Sequence, residues 1–135
     1  MLKAVEDGVA VVVCTTCRYS AEALDDDDGR RGGVHLAGAL KAMQAGDPAY
    51  AAVAVQEMPC LFACQEFCTI HLRAPEKVGY VLGRFAPGED AARAILDYAR
   101  LYGESTFGQV PFKQWPEGVK GHFITRTPPA GFVVE

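Results

Sequence analysis

Five cysteines are the residues of this chain best suited to chemistry, and they fall into two short groups. Cys14-Thr15-Thr16-Cys17 forms a C-x-x-C pair. Cys60, Cys64 and Cys68 follow at a regular interval of four in Met58-Pro59-Cys60-Leu61-Phe62-Ala63-Cys64-Gln65-Glu66-Phe67-Cys68. A thiolate can act as nucleophile, redox centre or soft metal ligand. The odd number fits poorly with a disulfide framework. The opening residues Met1 to Asp7 bring acids before any apolar block, so no signal-peptide pattern is present and a cytoplasmic location is expected. Clustered thiols in a reducing compartment point to metal or redox work rather than structural bridges.

Three chemistries compete for these thiols. A thioredoxin-type dithiol would use Cys14 and Cys17, with a thiolate activated by a helix N-terminus. A long Asp/Gly loop separates this pair from the next helix, and the second cysteine group would have no role. Structural zinc wants four tetrahedral thiolates, but zinc knuckles usually hold together small domains with little core, and half of these residues are apolar. An iron–sulfur cluster wants two pairs of thiolates at a fixed separation. Cys14 and Cys17 can serve one iron and Cys60 and Cys64 the other. Cys68 is then a spare thiol nearby, or it replaces one of the four.

The elements must bring these groups together. Val9 to Val13 is a continuous β-branched run that reads as a strand buried on both faces, as in a parallel sheet. Arg18 to Gly33 contains Asp25-Asp26-Asp27-Asp28-Gly29-Arg30-Arg31-Gly32-Gly33, the mark of a solvated loop. A helix is expected over Val34–Ala45, with Leu36, Leu40 and Met43 on one stripe. His35, near its start, reads as an ordinary surface histidine. Ala51–Gln56 reads as a second strand, ended near Pro59. Strand, helix and strand make a βαβ unit, whose two strands run parallel with their C-terminal ends at one sheet edge. Both cysteine groups lie just past those ends, where α/β folds place their sites.

A hairpin is expected from Thr69–Ala74 and Val78–Phe85 across Pro75-Glu76-Lys77. By the period of two, Cys68, Ile70 and Leu72 share one face, and Thr69, His71 and Arg73 the other. This puts His71 away from any metal that Cys68 surrounds. A second helix opens at Pro87-Gly88-Glu89-Asp90, runs through Ala91, Ala94, Ile95, Tyr98 and Leu101, and stops at Gly103. Tyr98 and Tyr102 read as packing residues. Beyond Glu104 an irregular, Pro-rich and aromatic tail is expected to fold back over the domain, with short strands at Phe123-Ile124 and Phe132–Val134. The organisation is thus a cluster-binding domain, 1–103, and a packed extension, 104–135.

The bulk properties agree. One domain is expected of 135 residues. A net charge of −4 without a basic stripe speaks against nucleic acid as a partner. No apolar run is long enough to span a bilayer.

The order strand, thiol, acidic Gly loop, helix, strand, Cys60-Leu61-x-x-Cys64, hairpin with Gly79-Tyr80, helix resembles the thioredoxin-like 2Fe–2S ferredoxins over roughly residues 8–103. It is also similar to the small cluster subunit of respiratory NADH dehydrogenase. More closely, the whole chain resembles a bacterial family of predicted metal-binding proteins of unassigned function. Its pattern is C-x-x-C, then C-L-x-x-C-x-x-x-C, then a Pro-rich end, here Trp115-Pro116 through Pro128-Pro129.

The resemblance implies an α/β thioredoxin-like fold and one 2Fe–2S cluster on Cys14, Cys17, Cys60 and Cys64. It implies an electron carrier rather than an enzyme, working between a reductase and an acceptor protein. A homodimer and a place near cobalamin synthesis are further implications. The chain departs from the ferredoxins in two respects: only two residues separate its first two cysteines, and Cys68 stands where they usually have a non-ligand.

Overall fold

A computed structural model describes residues 1–135. Its seven regular elements are β1 (Ala10–Cys14), α1 (Gly32–Gly46), β2 (Ala54–Met58), β3 (Ile70–Arg73), β4 (Gly79–Leu82), α2 (Glu89–Glu104) and β5 (Phe123–Thr127). The strands form one sheet in the order β2-β1-β3-β4-β5. β1 and β2 are parallel; β1 with β3, β3 with β4, and β4 with β5 are antiparallel. This is the α/β arrangement expected of a βαβ unit followed by a hairpin and a helix. No helix is long and apolar enough to cross a membrane.

The two faces of the sheet differ. Val11 and Val13 of β1, Ile70 and Leu72 of β3, and Tyr80 and Leu82 of β4 join Leu36 and Leu40 of α1 and the apolar side of α2 in one core. By the strand period of two, Ala10, Val12, Cys14, Thr69 and His71 belong to the opposite face. β1 is nonetheless buried along its whole length. Its second face is covered by long side chains of its neighbours, with Arg73 donating to Gln56 Oε1 at 3.2 Å from strands on either side of it.

The second strand lies about three residues later than expected. Asp47 accepts the Ala49 N–H at 2.9 Å and caps a 3-10 turn over Pro48–Tyr50, which consumes the residues before Val53. Tyr50 is buried there, and its hydroxyl donates to Asp97 of α2 at 2.5 Å. β2 consequently runs on to Met58, close to the cysteines.

The residues after Glu104 contribute more regular structure than an irregular tail. Phe123–Thr127 forms a complete edge strand on β4, whereas Phe132–Val134 forms none. Trp115 and Phe123 pack edge-on or tilted against Tyr98 and each other, and Tyr80 packs against Tyr98, Tyr102 and Phe123. Tyr98 and Tyr102 are both fully buried, as packing residues should be.

The Arg18–Arg31 segment is organised rather than simply solvated. The Asp26 carboxylate accepts the N–H groups of Asp28 and Arg30 at 2.9 and 2.8 Å, and its other oxygen meets His35 Nε2 at 2.5 Å. Arg31 bridges to Asp25 at 3.1 Å. His35 is therefore a tether for the loop, not a free surface histidine. The loop returns the start of α1 to the first cysteine pair. A Cβ on Gly33 would stand 2.0 Å from the Cys14 carbonyl oxygen, and one on Gly32 2.4 Å from that of Arg18. Only glycine permits this backbone-to-backbone contact.

Two glycine substitutions in α1 should therefore act in opposite directions. Gly33→Ala must push the helix off the cysteine loop and should destabilise the protein by about 2 kcal/mol or more. Gly38→Ala, at an exposed position with nothing within 4 Å, should stabilise it by about 0.5–1 kcal/mol. Urea denaturation of both variants tests the pair.

Candidate metal centre

The site is built by the β1–β2 ladder. Cys14, the last residue of β1, pairs in parallel with Met58, the last residue of β2. The two chains stay together past the ladder. Thr15 N–H donates to the Met58 carbonyl at 3.0 Å, and the Thr16 hydroxyl donates to that of Pro59. Cys14 Sγ lies 3.8 Å from the same Pro59 oxygen. The first cysteine group and the segment carrying Cys60 are thus held side by side, although more than forty residues separate them in sequence.

Beyond Pro59 the chain makes a tight loop ending in a 3-10 turn over Cys64–Glu66. Cys60 Sγ and Cys64 Sγ are 3.8 Å apart. Two thiolates on one tetrahedral ion, each with a metal–sulfur bond of about 2.3 Å, stand about 3.8 Å apart. The pair already has the bite of a single tetrahedral metal. Phe62 N–H donates to Cys60 Sγ at 3.2 Å, the kind of contact that steadies a ligand sulfur. Cys60 is half-buried and Cys64 exposed.

Cys17 is turned differently. It is buried, with Sγ 3.0 Å from the Thr69 hydroxyl and accepting the Thr69 N–H at 3.4 Å. No three of the Cys, His, Asp and Glu side chains stand in an arrangement that would hold a metal ion. A four-thiolate centre thus requires the first thiol pair to be drawn up to the second; the Thr69 N–H and hydroxyl on Cys17 Sγ are contacts that a ligand sulfur can keep. The donor chemistry of the four sulfurs fits an iron–sulfur or zinc centre, and one half of the geometry is formed.

Cys68 is on the other side of the sheet. It belongs to the core with Ile70 and Leu72, and its thiol lies 3.5 Å from the Arg18 carbonyl oxygen, against the start of α1. A Cβ on Gly32 would come within 2.7 Å of Cys68 Sγ. Burial pushes this thiol up to about 12. The fifth cysteine is a core residue, not a member of the thiol group.

His71 is kept from the thiols by distance and not by the face it occupies. It shares the face of Thr69, which carries Cys17, so the face does not exclude it. Distance along the strand does: His71 pairs with Val12, two residues before Cys14, and its ring lies by Gly79.

The electrostatics of the first pair follow from its contacts. The neighbouring Cys17 thiol, then the N–H groups of Leu61 and Thr16, stabilise a thiolate on Cys14 and bring it down to about 5. Cys17 moves the opposite way, because its proton serves Cys14 and because it is buried. Cys64 is raised by the adjoining Cys60 sulfur. Sequence reasoning missed Thr16, Thr69 and the Gly32-Gly33 contact. Two threonines flanking the thiols, and two glycines at a helix start, were the available signals.

These features define a thioredoxin-like domain with paired thiols at one sheet edge. The chain belongs to the family described as "Protein of unknown function (DUF1636)", whose model matches residues 11–129. Among solved structures it is similar to a thioredoxin-like [2Fe-2S] ferredoxin from Aquifex aeolicus, at 16% identity and a TM-score of 0.55, covering 95% of this chain and 100% of that one. A second structure, of the wild-type ferredoxin from the same organism, aligns at 18% identity and a TM-score of 0.54, covering 89% and 99%. At such identities the likeness establishes the fold. No curated protein matches the chain.

In the metal-free protein Cys14 should ionise far below the usual thiol range. Thiolate absorbance at 240 nm should rise with a midpoint near pH 5 and lose that step in Cys14→Ser. Since Cys14 is depressed on folding, its contribution to stability should be full above about pH 9 and disappear as pH falls through 5. Denaturation midpoints of the apo-protein and of Cys14→Ser, compared across that window, supply the check.

Proposed function

We propose that this chain is a 2Fe–2S electron carrier of thioredoxin-like fold, with Cys14, Cys17, Cys60 and Cys64 as ligands. The observation that carries the reading is the junction of the two thiol loops. Cys14 lies against Pro59, and one residue further the Cys60–Cys64 pair has a tetrahedral bite. A 2Fe–2S cluster supplies one-electron transfer when bound. The chain's part is to present thiolates in two pairs, to hold Cys60 by the Phe62 N–H, and to keep Cys14 ionised by the N–H groups of Leu61 and Thr16. Hydrogen bonds to ligand sulfurs and burial set the potential of such a centre. Its partners are a reductase and an acceptor protein in the cytoplasm. On the family resemblance alone, the acceptor belongs to cobalamin biosynthesis.

One observation favours a second reading, a mononuclear zinc or metal-carrier site. Only Cys60 and Cys64 stand at the spacing of two ligands on a single ion, and no third donor is arranged with them. A dithiol oxidoreductase is disfavoured. The start of α1 does reach the C-x-x-C loop, where Gly33 N–H donates to the Cys17 carbonyl at 3.3 Å. But Cys14 and Cys17 are 1% and 2% exposed, which bars a protein disulfide from either sulfur.

Protein purified without oxygen should be coloured and carry iron and acid-labile sulfide in equal amounts, two of each per chain. Cys60→Ser should lose the chromophore, and Cys68→Ser should keep it at some cost in stability. Stoichiometric zinc in colourless protein prepared the same way would replace the cluster reading by the second one.

A further inference from the structure

The loop that carries Cys60 and Cys64 has little packing of its own. Phe62 at its tip is 96% exposed, and Gln65 is exposed beside it. Something else must fix the turn that aims Cys64. The contacts converge on one residue distant in sequence. Arg84 follows β4, and its main-chain N–H donates to the carbonyl oxygens of both Glu66 and Phe67, at 3.0 and 2.7 Å. Its guanidinium reaches the Glu66 carboxylate through Nη1 and the Gly121 carbonyl through Nη2, the latter at 2.8 Å. Glu66 closes the turn that Cys64 opens. The last residue of the turn is thus gripped at its backbone and at its side chain by the same arginine.

The grip is anchored in the core. Gly83, just before Arg84, has no room for a side chain, because a Cβ there would lie 2.4 Å from the Glu66 carbonyl oxygen. Gly83 N–H donates to the His122 carbonyl at 2.9 Å, and His122 Nδ1 meets the Gly83 carbonyl at 2.8 Å. The His122 ring stacks on Phe85 at 4.3 Å and 5°, and Phe85 is fully buried. A path of direct contacts therefore leads from Phe85 through His122, Gly83 and Arg84 to Glu66 and so to Cys64. Arg84 also holds a backbone φ of +63°, a conformation that disfavours a side chain.

We infer that Arg84 is a positioning residue for the Cys60/Cys64 half of the centre. By clamping Glu66 it holds the Cys64 turn so that the two sulfurs keep a tetrahedral bite. The inference rests on reading Cys60 and Cys64 as metal ligands, and it holds for iron or zinc alike. A guanidinium suits the task because its fork spans the Glu66 carboxylate and the Gly121 carbonyl together. An ammonium at position 84 can satisfy only one of them well.

The experiment is an anaerobic titration of the full-length apo-protein with cobalt(II), followed by the sulfur-to-cobalt charge-transfer band and the intensity of the tetrahedral d–d bands. Wild type should give both. Arg84→Ala and Glu66→Gln should bind cobalt roughly tenfold or more weakly, as loss of an outer partner of a metal ligand usually does, with weakened tetrahedral bands. Arg84→Lys should recover part of the loss. Arg100→Ala removes an equally exposed arginine from its pair with Glu104, and should leave affinity and spectrum unchanged.

Arg84→Ala that binds cobalt with wild-type affinity and spectrum overturns the inference, even if its urea midpoint falls. Wild type that gives no sulfur-to-cobalt band overturns both this inference and the metal reading. Wild type that binds cobalt through sulfur but never assembles a cluster removes the electron carrier and leaves the role of Arg84 to be decided by the same titration.

Discussion

The parallel pairing of β1 with β2 is the constraint on which the site depends. Parallel strands finish at the same edge, so whatever follows one strand meets whatever follows the other. Here Cys14 and Met58 are register partners, and the threonines after Cys14 extend the contact by binding the Met58 and Pro59 carbonyls. The pairing is secured by burial: every residue of β1 is buried, and Val11 and Val13 lie in the main core. A slip of one residue would move those valines to the other face and carry Cys14 with them. The core and the thiol site thus share one register.

The sheet also sorts the sulfurs. Cys14 and Cys17 sit on the face opposite the helices, where Thr69 and the loop from Pro59 meet them. Cys68 passes to the helix side, among apolar residues that favour the neutral thiol. The same sheet therefore draws one thiol down and pushes another up within its own thickness. Burial raises Cys68, and donors offset burial at Cys14. Cys14 is served by the Cys17 thiol and by the N–H groups of Leu61 and Thr16, whereas Cys68 faces carbonyl oxygens that can only accept.

The βαβ unit, the hairpin and the second helix were legible because each rests on local signals: a β-branched run, a period near 3.6, a Pro-Glu-Lys turn. The meeting of the thiol groups was legible because topology alone dictates it. The core placement of Cys68 was half legible, since the period of two placed it with Ile70 and Leu72 but did not say which face they took. The Asp/Gly segment misled for a physical reason. Composition says that a stretch is polar, not whether its carboxylates find donors, and Asp26 finds three. That loop separates Cys17 from α1 by fourteen residues in the chain and by nothing in space, because Gly32 and Gly33 admit the carbonyls of Arg18 and Cys14. Arg84 left no trace in sequence, since an arginine beside a glycine after a strand has no distinctive pattern.

Backbone strain gathers where the thiols are. Four residues other than glycine have positive φ, and three of them frame one loop: Phe62 at +58°, Cys68 at +49° and Arg84 at +63°. Each such residue costs on the order of 1 kcal/mol or more. None of the three is relieved by glycine, so other contacts must impose the conformation. Phe62 is held by its N–H on Cys60 Sγ, Arg84 by its N–H on two carbonyls, and Cys68 by a side chain locked in the core. Phe62 gains no burial in return. A loop left to itself would relax at that point and separate Cys60 from Cys64. Two restraints oppose this: the Phe62 N–H on Cys60 Sγ inside the loop, and Arg84 on the Glu66 and Phe67 carbonyls from outside it.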